Sequence, residues 1–213
     1  LYRIAEMLEG RNEQFVSELV LQGVFKLKAV KEVEASIDPL IYYAGWSDKY
    51  QQIFSSVNPV SSSHFNFSVL EPTGVVGILA PENSSLLGLV SNIAPVIVGG
   101  NTCVVLASES LPLCAISFAE VLHASDVPGG VVNLLTGFKD ELRDQFASHM
   151  DVNAVVFCDG DDEISKIIQE KAADNVKHVI SRRDQDWSSE MLQNPYLISE
   201  TQETKTTWHP IGS

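Results

Sequence analysis

The sequence predicts an α/β fold, a doubly wound parallel sheet, on three observations. Between Gly74 and Ala115 two short apolar runs, Val75–Leu79 and Cys103–Leu106, flank a longer apolar stretch, Leu86–Val98. That is the strand–helix–strand pattern of a parallel crossover. Similar runs recur at Val131–Leu135, Ala154–Cys158 and Val176–Ile180, with helical patterns between them. The strand runs carry little polar alternation, as strands covered on both faces do.

The chain has 213 residues and a hydrophobic content of 45%. That suffices for one sizeable core with an appendage. Leu1 in place of Met predicts a cut or excised piece. The net charge of -14 argues against a nucleic-acid surface, which needs a basic patch. No run of about eighteen apolar residues predicts a membrane span, and no signal-peptide pattern is present. Cys103, Cys114 and Cys158 sit in apolar surroundings without metal-ligand spacing, so no metal site is expected. An odd number of unpaired thiols predicts a reducing compartment and a cytoplasmic location.

Taken in order, Leu1, Ile4, Ala5 and Leu8 open a helix, and Phe15, Leu19 and Val20 continue after a break. Val30, Val33, Ile37, Leu40, Ile41 and Ala44 form a second long stripe. Tyr42, Tyr43 and Trp46 read as core packing. Ser55 to Ser63 is loop-rich. Phe65, Phe67 and Val69 then alternate with His64, Asn66 and Ser68, which predicts a half-exposed strand. Pro81 to Ser84 is a turn, and Gly99, Gly100 and Asn101 end the next helix. Cys114–Ala124 reads as a helix with Ile116, Phe118, Ala119, Val121 and Leu122 inward. Glu141–Met150 and Ile164–Ala173 read as further helices. SRRDQDWSSE from Ser181 reads as a polar linker, and Pro195 to Ile198 as a strand start. Thr204, Thr206 and Trp208 share one face of an extended strand, with Lys205 and Thr207 on the other. The competing reading of this tail is a frayed terminus.

These residues resemble the aldehyde dehydrogenase superfamily. Pro81 and Asn83 stand at the first and third positions of its PWNFP motif. Gly100, Asn101 and Thr102 stand as its GNT, and Ser108 and Glu109 as the SE of its KPSE, with Pro112 and Leu113 following at the family's spacing. Asp126 to Gly137, DVPGGVVNLLTG, is similar to the family's LPPGVVNVVTG, and Tyr42 to Tyr50 to the helix before its first sheet. The tail is similar to its terminal arm, typically YTEVKTVTV. The resemblance implies a Rossmann-like doubly wound parallel sheet with N-terminal helices over residues 1–180. It also implies a small antiparallel β-flap or oligomerisation arm from 53–70 and 194–213. The catalytic domain is absent. The pattern resembles the second, truncated repeat of family-16 aldehyde dehydrogenases.

Aldehyde oxidation in that family needs a cysteine thiolate beyond the cofactor domain, the glutamate of LELGG, an amide donor and a held dinucleotide. None of the three cysteines matches the nucleophile. The glutamate position falls near Arg182, which accepts no proton. Asp184 and Gln185 replace the glycines that follow. Asn83 retains the amide, either as a vestigial oxyanion donor or as the cap of the following helix. The KPSE lysine position holds Leu106. Glu109 and Gly137 remain as vestiges, with Lys139 ending what is GFG in the family. The FTGS turn reads Phe157 to Gly160, and Asp159, Asp161 and Asp162 oppose phosphate.

The expectations are therefore a non-catalytic dehydrogenase-like domain, not an enzyme itself, and no cofactor. The alternative is a residual NAD(P)-binding module. Expected partners are a companion catalytic aldehyde dehydrogenase domain or a like subunit, in a homo-oligomeric parent, without nucleic acid or membrane. Thr204, Thr206 and Trp208 are the predicted interface.

Overall fold

The structure, a computed structural model, describes residues 1–212; Ser213, the last residue of the expected arm, lies outside the described residues. Helices α1 (Tyr2–Gly10) and α2 (Asn12–Leu21) pack on the long α3 (Lys26–Trp46). Ile4, Leu8, Phe15 and Leu19 meet Ala29, Val33 and Leu40 there, at helical spacing. Tyr43 is fully buried, and its hydroxyl donates to the carbonyl of Asn194 at 3.0 Å. Ile41 and Val20, expected inside, are exposed; on α3 the inward side carries Ala29, Val33, Ser36 and Leu40.

A short α4 (Tyr50–Phe54) leads to β1 (Ser56–Asn58) and β2 (His64–Pro72). The chain then enters the parallel sheet. Its elements are β3 (Val75–Leu79), α5 (Leu87–Val98), β4 (Thr102–Leu106), α6 (Leu113–Ala124), β5 (Val132–Leu135), α7 (Lys139–Ser148), β6 (Ala154–Phe157), α8 (Asp162–Ala173) and β7 (His178–Ser181). The strand order is β5-β4-β3-β6-β7, all parallel. The chain winds outward from β3 to β5 and then returns to lay β6 on the other side of β3. The crevice beyond the carboxyl ends of β3 and β6 is thus the topological switch point, where such sheets bind ligands.

Val76, Ile78, Cys103, Val105, Ala154 and Val156 face α5 and α6, with α1–α3 outside them. Leu79, Leu106, Val155 and Phe157 face Phe146 of α7 and Ile168 of α8. From Leu87 to Val96 every residue of α5 is buried, as a sandwiched helix requires.

Several boundaries differ from expectation. Helix α6 leaves Ile116 half exposed and buries Cys114, Ala115 and Ser117 instead. Helix α7 starts two residues early, since Asp140 and Glu141 suit a first turn. Strand β7 starts at His178: Val176 stands in a turn at φ 57°, and the buried Lys177 ammonium donates to the Val152 carbonyl at 2.8 Å. The predicted strand at Pro195–Ile198 is instead a helical turn, α9 (Tyr196–Ser199), which plants the fully buried Ile198 against α5. The linker after β7 is not all exposed either, because Arg182 and Trp187 are buried.

Strand β8 (Gln202–Pro210) pairs antiparallel with β2 along its whole length, completing a sheet of order β1-β2-β8. In β2 the buried residues are Asn66 and Leu70. The aromatic face of Phe65 and Phe67, with Val57 beside it, is turned to the outside. Asn101 joins the two sheets. Its Oδ1 accepts from Gly74 N at 2.9 Å, and its Nδ2 donates to Thr201 O at 2.9 Å. Gly100 supplies the left-handed turn at φ 86° that brings it there. Gln202 adds a bond to Gly99 O at 3.0 Å.

Asn101→Ala strands these buried groups and should cost about 3 kcal/mol in urea denaturation. Hydrogen exchange should speed up in β8 more than in β4, because the joint rather than the parallel sheet is lost.

Candidate functional site

At the carboxyl edge of β3 the backbone turns through Ala80 to Glu82. The Glu82 carboxylate ties this edge to the next. It accepts from Glu109 N at 2.8 Å, Ser108 Oγ at 2.8 Å, Ser110 N at 3.0 Å and Ser110 Oγ at 2.6 Å. Lys139, in the first turn of α7, reaches across from the β5 side. Its Nζ lies 2.6 Å from Glu82 Oε1 and 2.6 Å from Asp159 Oδ2, and donates to Ala80 O at 2.5 Å. Asp159 also accepts from Glu82 N at 3.0 Å. Three strand ends and a helix start are thus closed around one ammonium. Burial tends to raise the Glu82 pKa. Lys139, the Ser110 hydroxyl and the Glu109 and Ser110 N–H groups outweigh burial and bring it down to about 2.

Glu109 accepts from Lys139 N at 3.0 Å and lies at the same rim. Gly137 has little room for a side chain, since an added Cβ would stand 3.0 Å from Leu142 Cδ1. Between α7 and α8 opens a cavity of about 160 Å³ lined by Leu79, Lys139, Arg143, Asp159, Gly160 and Ile164. The Arg143 Nε is buried without a partner among the described residues. Leu106 is fully buried in the core. Asp161 does not face the crevice as a free carboxylate, because it caps α8 through Ile164 N at 2.9 Å. Asp162 pairs with Arg183 at 3.0 Å.

Asn83 does not cap α5, as one expectation had it. Its Oδ1 accepts from Trp187 Nε1 at 3.1 Å. The cap comes from α3: Glu32 Oε1 accepts from Leu86 N at 3.0 Å and from Ser84 Oγ at 3.1 Å. A carboxylate from a neighbouring helix answers the α5 dipole, which sequence spacing does not reveal. Arg182 is only 5% exposed; it donates to Asn92 Oδ1 at 2.9 Å and to Glu200 Oε2 at 2.7 Å.

All three thiols are buried. Burial pushes Cys103 and Cys158 up to about 12 and Cys114 higher still. None has the exposure or lowered pKa of a reactive thiolate. Among the described residues no group of His, Cys, Asp and Glu has the spacing of a metal site, and no helix is long and apolar enough to cross a membrane.

The structure brings Asn83, Glu109 and Gly137 to the carboxyl-edge side of the sheet. It places Thr204, Thr206 and Trp208 far along β8, where they pair with Leu70, Ser68 and Asn66 on one face. The sequence reading missed the clamp of Glu82 and Lys139 and the burial of Trp187. A lone tryptophan in a charged run was the available signal for the latter.

The chain matches the model of the "Aldehyde dehydrogenase family" over residues 1–182. It is 34% identical over 183 residues to "Aldehyde dehydrogenase, cytosolic 1" of Elephantulus edwardii, covering 84% of this chain and 36% of that protein. An NAD+ complex structure of aldehyde dehydrogenase from Bacillus cereus superposes with a TM-score of 0.80 at 29% identity, over 85% of this chain and 37% of that one. Betaine aldehyde dehydrogenase from Staphylococcus aureus in complex with NAD+ gives 0.78 at 27% identity, over 84% and 35%. The chain spans a little over a third of the relative it matches.

The expectation of no cofactor is corrected by these findings. Two of the similar structures are NAD+ complexes, and their likeness covers most of this chain. Lys139 and Arg143 line the cavity between α7 and α8, and Glu109 bonds to Lys139 N beside it.

Glu82 stabilises the fold through its depressed pKa. That contribution is complete above the ordinary carboxylate value of 4.5 and disappears as pH falls toward about 2. Glu82→Gln should therefore be less stable than the parent at pH 7. The gap between their denaturation midpoints should close between about pH 4.5 and 2.

Proposed function

The chain belongs to the aldehyde dehydrogenase family, and we propose that it contributes that family's architecture rather than its chemistry. It is a dehydrogenase-like domain without a catalytic centre of its own, working in assembly or domain contact within a larger protein. The carrying observation is the passage from β7 to β8. Residues 182–201 alone separate the last parallel strand from the arm strand, and they bury Arg182 and Trp187 and form α9. No folded unit stands there to supply a nucleophile, and the three thiols are buried. Arg182 is held by Asn92 and Glu200 where the resemblance puts the general base. The finer reading is a truncated second repeat of the family-16 kind, beside a companion catalytic domain.

The arm is the acting part. Strand β8 pairs with β2 on one side and leaves its other edge open among the described residues. An open edge is a template for a further strand. Thr204, Thr206 and Trp208 would meet the sheet of the companion domain or of a like subunit. Deleting residues 203–213 from the parent protein keeps the buried Thr201 and Gln202 in place. Light scattering on a sizing column should then show a smaller assembly; unchanged mass would overturn the reading.

The NAD+ complexes among the similar structures favour a second reading, a dinucleotide-binding module. Glu109, Gly137, Lys139 and Arg143 around the crevice are the residues that would hold the group. Once bound, a nicotinamide dinucleotide supplies hydride acceptance. This chain's residues would hold and orient it, with Lys139 giving up a carboxylate for a phosphate. Calorimetric titration should then give sub-millimolar binding of NAD+ or NADP+, weakened about tenfold by Lys139→Met, which removes one charged contact. Absence of heat at millimolar dinucleotide would leave the architectural reading alone.

A further inference from the structure

A second cavity, of about 390 Å³, lies between α3, the Asn83–Ser84 turn and the linker that follows β7. We propose that it is a binding site for a small carboxylate with an apolar or aromatic body. Its floor is Trp187, Leu87 and Ala35. Trp187 is buried, and its indole N–H is already occupied by Asn83, so what the ring offers a ligand is its apolar surface.

The charges around the cavity are unequal in what they have left to give. Its two carboxylates are committed to the protein. Glu32 accepts from Leu86 N, Leu87 N and Ser84 Oγ. Asp186 accepts from Ser188 N at 3.1 Å and Ser188 Oγ at 2.6 Å. Its two ammonium groups, Lys28 and Lys31, take part in no ion pair among the described residues. They stand at i and i+3 on α3, on one side of the helix. In a chain with a net charge of -14, two unpaired lysines over one concave apolar floor are a local exception.

A ligand that answers both features carries an anionic head for the lysines and a flat or alkyl body for the indole. A phosphate or a free inorganic anion would leave the floor unused, and a neutral apolar molecule would leave the lysines unanswered. The volume lies at the lower end of the roughly 300–1,000 Å³ of small-molecule pockets, which leaves room for a molecule of about ten heavy atoms. This site faces the linker peculiar to the short passage from β7 to β8. It is independent of whether the arm assembles or a dinucleotide binds.

The test uses Trp187 as its own reporter. With Trp46→Phe and Trp208→Phe in place, Trp187 is the remaining tryptophan of the three. Phenylacetate should quench its emission saturably, and phenylacetamide, the same body without the charge, should bind at least tenfold more weakly. Lys28→Gln with Lys31→Gln should weaken phenylacetate by a similar factor. Both lysines are exposed, so the fold should be unaffected. Raising the salt concentration should weaken phenylacetate binding to the parent and leave phenylacetamide unchanged. A response absent with phenylacetate, equal with the amide, or untouched by the lysine changes and by salt would overturn the proposal.

Discussion

A buried amide must find its partners inside the protein, and Asn101 finds them in separate parts of the chain: at the start of β3, in the last turn of α5 and in the turn before β8. Everything else about the molecule's outline follows from this joint. It sets where the first parallel strand begins, and it holds Thr201 so that β8 starts in register with Pro72 of β2. Beside it, Gln202 bonds to Gly99 O, Thr73 N donates to Thr201 O, and His178 pairs with Glu203 across the same junction of the two sheets.

The opposite end of the parallel sheet is organised by charge rather than by an amide. Glu82, Lys139 and Asp159 close the strand ends on one another, and Glu109 adds a bond to the start of α7. Each carboxylate there already has protein partners, so an arriving phosphate has to compete with internal ones for the ammonium. Arg182 raises the same issue deeper in the molecule. A buried guanidinium is tolerable only when paired and hydrogen-bonded, and Glu200 with Asn92 meets that need. The linker after β7 is thus anchored inward, which makes it a wall rather than a tether.

Much of this was legible in the sequence. The apolar runs at Val75–Leu79 and Ala154–Cys158 read as strands because both of their faces are covered, and the second ends one residue sooner, at Phe157. The Gly100–Thr102 motif marked the turn that the joint requires. Long-range polar partners were not legible: no spacing rule connects Glu32 to the start of α5, or Lys139 to Asp159. The stretch Pro195–Ile198 was misread because an apolar run of four residues suits a strand or a helical turn equally, and docking on α5 decided it. The alternation in β2 marked a half-exposed strand without saying which face lies inward, and the structure turns Asn66 and Leu70 in. The crevice kept features that the lost lysine at Leu106 had seemed to cancel.

The pairing of β8 with β2 also sets the order in which the molecule comes together. Ser68 and Thr206 touch across 138 positions of chain, so the loop closure that joins them is among the most demanding in the protein. The helices and the local crossovers around β3 and β4 have far shorter loops to close. The flap is therefore the late step of folding. Until it closes, β2 presents an unpaired backbone edge flanked by Phe65 and Phe67, a kinetic window in which self-association competes with maturation.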